Sequence, residues 1–338
     1  MTACVGTEDA RDGEDDAAGE AAERGIDRGP AGLVVGLDIG GTKTLAVAVD
    51  KAGHIQAEVR LPTDASGGEG LRASSTAALR QVAAAANSPV DAIVGVGVGV
   101  PGIIDPVAGT VRHAVNLGVG DEPVDLAGPL HQITGGPVVV ANDVNVAALG
   151  AAEAFETAAD VAYLSVGTGV AVGFFLHGEM HVGARGIAGE IGHLPIDPDG
   201  DFCECGQRGC LETVASGATI ARRWAGPDGG PGDAAGLFAA AAAGDPRAIA
   251  LRDEICGHLA TAVALIAHTV DPELIVLGGG VTEAGRPLLE GVRSALRARA
   301  VTPLVAALDL PARLTIVPDG VPVGALGAAR AARALVLG

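Results

Sequence analysis

Two observations predict an α/β protein. Apolar strand patterns alternate with helical ones from Leu33 to the C-terminus, which points to sheets with mainly parallel pairing. A phrase of strand, Gly-rich turn and strand that begins at Leu33 also returns at 161–176, a weak internal repeat suggesting two related halves. With 338 residues, 49% of them hydrophobic, the chain can bury a core of about two domains.

In order, LVVGLDIGGTKTLAVAVD reads as a β-hairpin whose turn is Ile39-Gly40-Gly41-Thr42-Lys43. LRASSTAALRQVAAAANS (71–88) has helical character, and DAIVGVGVGVPGIID (91–105) is a strand in which alternate glycines leave one face nearly bare. PVVVANDVNVAALGAAEAF (137–155) is a buried parallel strand running into a helix, with Asn142 and Asp143 at the junction. VAYLSVGTGVAVGFFL forms the second hairpin. Beyond it come a cysteine-rich loop (200–210), helices around 214–223 and 248–270, the strand ELIVLGGG (273–280), a helix near 286–299, the strand LTIVP and an Ala-rich last helix. The Gly/Pro-rich stretch 225–236 reads as a surface loop, and the domain boundary falls at 145–160, just before the second hairpin.

The first 32 residues are acidic and Gly/Ala-rich, with no basic start and no apolar signal core, which predicts a disordered, solvated tail rather than an export sequence. A net charge of −19 argues against nucleic acid as a partner. No uninterrupted apolar run approaches the roughly 18 residues that a membrane span needs. Five cysteines, three of them within eight residues, look unlike a secreted disulfide framework and place the chain in a reducing, cytoplasmic setting. Cys4 and Cys256 read as a tail residue and a core residue.

The strongest local signal is His193 followed by Cys203, Cys205 and Cys210, a Cys3His set suited to structural zinc. The alternative is three reduced surface thiols. In Asp38-Ile-Gly-Gly-Thr-Lys43, bare glycines let backbone N–H groups and the Thr42 hydroxyl approach phosphate. An ordinary hairpin turn is its plain alternative. The matching turn Gly167-Thr168-Gly169 could close the other side of a phosphate clamp. Gly97-Val-Gly99-Val-Pro-Gly102 satisfies G-x-G-x-x-G, but Pro101 and the turn-like GIIDPVAG stand where a dinucleotide site requires a helix. Asp143, at the end of an apolar strand, could accept a proton from an attacking hydroxyl, or could simply cap the helix that follows. Glu190, His193 and Glu212, set mostly among small residues, could hydrogen-bond sugar hydroxyls, with zinc fixing one histidine nitrogen and freeing the other.

Taken together, these residues resemble the ROK family of repressors, open reading frames and kinases, and particularly its bacterial ATP-dependent glucokinases. The resemblance spans roughly 33 to 330, is most specific in IAGEIGHLPIDPDGDFCECGQRGCLETVASG (187–217), and includes DIGGTK, GVPGIID, ANDVNVAALG, SVGTGV and LGGGV in the family's order. It implies an actin/hexokinase-like, ribonuclease H-like fold: a small N-terminal α/β domain at 33–145, a large domain with the zinc loop at 146–321, and a last helix, about 322–337, returning to the first domain. It implies Asp143 as general base; Asn116, Asn142, Asp143 itself, Glu190, His193 and Glu212 as sugar contacts; and His193 with Cys203, Cys205 and Cys210 on zinc. Asp38, Gly40, Gly41, Thr42 and Lys43, with Gly167 to Gly169, resemble phosphate loops, and Gly278, Gly279 and Gly280 the edge of the adenosine site. The implied cofactors are ATP, Mg²⁺ and structural Zn²⁺, and the implied assembly is a homodimer or homotetramer. The aromatic residue that often follows the asparagine in the family's glucokinases is missing after Asn116. Kinases for N-acetylglucosamine, N-acetylmannosamine or fructose, polyphosphate as donor, and a sugar-sensing regulator are the alternatives. A repressor, however, needs a helix-turn-helix before DIGGTK, where acidic residues stand here.

Overall fold

The computed structural model describes residues 32–226 and 229–337. The expected acidic tail, Gly32 apart, and Cys4 lie outside them. The first half comprises β1 (Val34–Ile39), β2 (Lys43–Val49), β3 (Ile55–Pro62), α1 (Gly68–Ala85), β4 (Gly95–Val100), β5 (Ile103–Asp105), β6 (Thr110–Arg112), β7 (Val124–Asp125), α2 (Ala127–Thr134), β8 (Val138–Asn142) and α3 (Asp143–Ala154). The second comprises β9 (Val161–Val166), β10 (Val170–Leu176), β11 (Glu179–Met180), α4 (Glu212–Ala215), α5 (Gly217–Arg223), α6 (Ala234–Ala242), α7 (Pro246–Thr269), β12 (Leu274–Gly278), α8 (Arg286–Arg299), α9 (Pro303–Ala307), α10 (Leu310–Arg313), β13 (Leu314–Ile316) and α11 (Val323–Leu337).

Two five-stranded sheets carry the molecule, ordered β3-β2-β1-β4-β8 and β11-β10-β9-β12-β13, and the repeated hairpins are β1–β2 and β9–β10. Pairing is mixed, not mainly parallel as the alternation suggested. Each sheet is parallel on the β4 or β12 side and antiparallel on the hairpin side, because a tight turn can join only antiparallel neighbours. The strand expected over 91–105 stops at Val100. Gly102 takes a left-handed φ of 112°, and Ile103–Asp105 joins β6 and β7 in a separate small sheet, so the G-x-G-x-x-G run opens no helix. The surface loop expected over 225–236 ends early, because Asp233 caps α6 by accepting from the Gly236 N–H.

One face of the first sheet (Val35, Leu37, Ala46, Val96, Val98) packs on α1 through Leu71, Leu79 and Val82. One face of the second (Leu164, Val166, Val170, Val172) packs on α7 and α8 through Leu259, Val263 and Val292. Between the sheets run α3 and α11. α11 lies on the bare glycine face, where a Cβ at Gly36 or Gly97 would overlap the backbone carbonyl of Ala325 or Ala328. α3 and α11 meet just as closely, Gly150 against Val323 and Gly327 against Val146. Among the described residues, no helix is long and apolar enough to cross a membrane.

Candidate active site

A cavity of about 570 Å³ opens between the two sheets, at the ends of β1, β8, β9 and β12. Its walls include Asp38, Gly40, Thr42, Lys43, Asp143, Gly278, Gly279 and Gly280. The first turn is closed by Gly40 N–H donating to the Lys43 carbonyl at 2.9 Å, and is buttressed by Thr63 N–H donating to the Thr42 carbonyl. Gly41 faces the other way, against Asn116 in the short turn Val115–Leu117.

Asp143 is the first residue of α3, yet the helix cap is Asn142, whose Oδ1 accepts from the Val144 and Asn145 N–H groups at 3.0 and 3.3 Å. The cap expected of Asp143 thus belongs to its neighbour, and the Asp143 carboxylate is left to the cavity. Burial lifts its pKa to about 6, its own and Val144's backbone N–H groups pull it down, and the Glu190 carboxylate pushes it up. Asp38 is raised further, to about 7, by burial and then by the charge of Asp143, with Lys43 opposing. The Asp38 carboxylate packs on Gly324 in the first turn of α11, where only a glycine leaves it room.

Beside this cavity lies a cysteine corner. The loop before it rides on β10, with Val172 N–H donating to the Gly189 carbonyl at 2.9 Å and Gly192 pressed on the Val170 carbonyl, which fixes the segment carrying Glu190 and His193, and the Glu190 charge reaches Asp143. His193, Cys203, Cys205 and Cys210 put one ligand atom each within 4.8 Å of all the others. Cys205 and Cys210 Sγ are 3.7 Å apart, and Cys203 Sγ is 3.6 Å from His193 Nδ1. Tetrahedral zinc with Zn–S near 2.3 Å and Zn–N near 2.05 Å has S···S and S···N edges of about 3.8 and 3.6 Å. The donor set therefore fits zinc, and the sulfur separation is far beyond a disulfide. His193 Nε2 points the other way, 3.9 Å from Glu190 Oε2. Glu212 Oε1 stands 3.4 Å from His193 Nδ1 and accepts from the Cys203 thiol at 2.9 Å.

The predicted residues thus fall into adjoining groups. Asn116, Asn142, Glu190, His193 and Glu212 lie outside the cavity walls. So does the Gly167–Gly169 turn: the Gly217 N–H donates to the Gly167 carbonyl, Gly169 abuts Glu212, and Thr168 is exposed. Sequence reasoning missed Tyr163, Ser165 and the wall at 317–324. Tyr163 crosses Gly278 so closely that a Cβ there would overlap its ring, and burial with the charges of Asp38 and Asp143 pushes its hydroxyl pKa up. It is the sole tyrosine and sits within an apolar strand, where nothing local in the sequence signals a cavity wall.

The ROK family pattern matches residues 34–334. The glucokinase of Halalkalibacterium halodurans is 37% identical over 289 residues, 79% of this chain and 86% of that protein. The N-acetylmannosamine kinase of Shigella flexneri is 35% identical over 250 residues, 73% of this chain and 83% of the relative. The crystal structure of a ROK family glucokinase from Streptomyces griseus in complex with glucose and AMPPNP superposes with a TM-score of 0.74 at 30% identity, covering 90% of this chain and 100% of that one.

Proposed function

The chain belongs to the ROK family, and on that premise we propose that it is an ATP-dependent hexose kinase, a glucokinase that forms glucose 6-phosphate. The observation that carries this reading is Asp143, a carboxylate released from capping and lifted to about 6 in the wall of a cavity that it shares with residues of the Asp38–Lys43 and Gly278–Gly280 turns. At neutral pH such a carboxylate is mostly ionised yet basic enough to take a proton, which suits it to receive one from the hexose hydroxyl as that oxygen attacks the γ-phosphorus. Phosphoryl transfer needs little more from the protein than positioning and charge.

In this reading Asn116, Asn142, Glu190, His193 and Glu212 hold the sugar. Asn142 has given its carbonyl oxygen to α3 and keeps its amide N–H groups for a hydroxyl. His193 Nδ1 faces the cysteines and its Nε2 faces Glu190, so a zinc ion held by His193, Cys203, Cys205 and Cys210 would be structural and would fix the orientation of the ring. Asp38 would hold Mg²⁺, which offsets phosphate charge when bound. We divide the chain near residue 145 into a small and a large domain, whose closing on the sugar would exclude water.

A second reading, an N-acetylmannosamine kinase, is favoured by the Shigella flexneri relative and by the missing aromatic after Asn116. Purified chain is mixed with MgATP and each of glucose, mannose, fructose, N-acetylglucosamine and N-acetylmannosamine, and ADP is measured. Release of ADP fastest with glucose supports the first reading, fastest with N-acetylmannosamine the second, and none with any sugar defeats both.

A further inference from the structure

β3 is the outer strand of its sheet and alternates polar residues, so Arg60 would pass for a solvated edge residue. It is indeed exposed, but the register also sets it beside the cavity. Asp38 pairs with Leu45, and Leu45 with Arg60, so the three form one cross-strand row whose side chains share a face. Lys43, two residues before Leu45, is on that face as well. It is the face that Gly36 turns toward α11, and both Lys43 and Arg60 are walls of the cavity that holds Asp38 and Asp143.

Lys43 and Arg60 are diagonal neighbours on adjacent strands, a separation of about 7–8 Å between Cα atoms. Like charges so placed repel. Among the described residues neither has a carboxylate within the 4.0 Å of an ion pair, although Asp38, Glu58, Asp143, Glu283 and Asp319 share the cavity walls and the chain carries a net charge of −19. In so acidic a protein, two adjacent cations that close no ion pair, although the Lys43 charge reaches Asp38, stand beside a Gly-Gly turn as a seat for an anion. The guanidinium fork of Arg60 matches the oxygens of phosphate.

We propose that Arg60, together with Lys43, grips the phosphate chain of the donor and sets the affinity for it. The ligand chemistry is a magnesium-bound chain of phosphates, belonging to a nucleotide or to inorganic polyphosphate. This rests on the kinase reading above.

Calorimetry on the full chain, wild type, Arg60→Gln and Arg60→Lys, uses MgADP, magnesium tripolyphosphate and adenosine as separate probes. Loss of one charge-assisted contact should weaken phosphate binding roughly tenfold, with Arg60→Lys intermediate and adenosine unaffected. In turnover the donor KM should rise in step while kcat and the hexose KM stay near wild type. A loss with MgADP assigns the strip to a nucleotide donor, and a loss confined to tripolyphosphate assigns it to polyphosphate. Arg60→Gln that binds both phosphate probes as wild type does, or that loses adenosine by the same factor, overturns the role of Arg60 alone. Wild-type chain that binds neither phosphate probe defeats the kinase reading itself.

Discussion

Asp38 and Asp143 face one cavity, and the charge of Asp143 adds to burial in lifting Asp38 to about 7, while Asp143 itself stands at about 6. Two interacting acids titrate as a pair, so the protein should lose its protons from this site in steps that belong to both. The proposed base works only when ionised. Turnover should therefore fall as pH drops through about 6, and the measurement is kcat/KM for the hexose across the acid and neutral range. Asp143→Ala should abolish turnover and leave hexose binding within about an order of magnitude, since the substitution removes proton transfer rather than the sugar contacts. A flat acid limb, or an active alanine variant, would remove Asp143 from the role.

The same burial weakens the fold. An unfolded aspartate ionises near 3.8, whereas folded Asp38 does so near 7. Between these values the folded state holds a proton that the unfolded state lacks, so stability falls as pH rises from about 4 to about 7. Asp38→Asn removes the charge without changing the shape. It should raise stability at neutral pH by on the order of a few kcal/mol, and leave it nearly unchanged in acid. Urea melts of both proteins at acid and neutral pH test this. A variant that is less stable than wild type at neutral pH would mean that Asp38 gains more from its surroundings, the first turn of α11 included, than burial costs it.

Zinc should matter to the sugar through one ring. His193 turns Nδ1 to the cysteines and Nε2 toward Glu190. Cys205→Ser should abolish stoichiometric zinc, measured by elemental analysis, and weaken hexose binding by roughly tenfold or more as the ring loses its anchor. Zinc-free protein with wild-type hexose affinity would refute the coupling.

Much of this site was legible because its chemistry is local. The cysteine spacing, the glycines at 40 and 41 and the Asn142-Asp143 junction each sit in a few consecutive residues. Pairing direction was not local. The hairpin strands read as well for a parallel sheet as for a mixed one, because a strand's apolar pattern reports burial and leaves the neighbour's direction open. Helix α6 hid behind its Gly/Pro-rich approach, although Asp233 stands just before the apolar run, where a cap belongs. Tyr163 and Arg60 could not be seen at all. Each acquires its place from a partner strand, Tyr163 across Gly278 of β12 and Arg60 across Leu45 of β2.

The alternate glycines of β4 were legible as a bare face, and the occupant of that face supplies a test of opposite signs. A methyl group at Gly97 would overlap the backbone carbonyl of Ala328 in α11, and a backbone group inside a helix cannot swing aside as a side chain can. Gly97→Ala should therefore lower stability by about 1–3 kcal/mol or more, as overpacking of a tight core does. Gly257 lies within α7 with nothing near its missing Cβ, so Gly257→Ala should raise stability by up to about 1 kcal/mol through helix propensity. Thermal melts of the two variants beside wild type separate the cases. Because the same alanine is introduced twice, a Gly97 variant as stable as wild type would mean that α11 does not lie against the glycine face of β4.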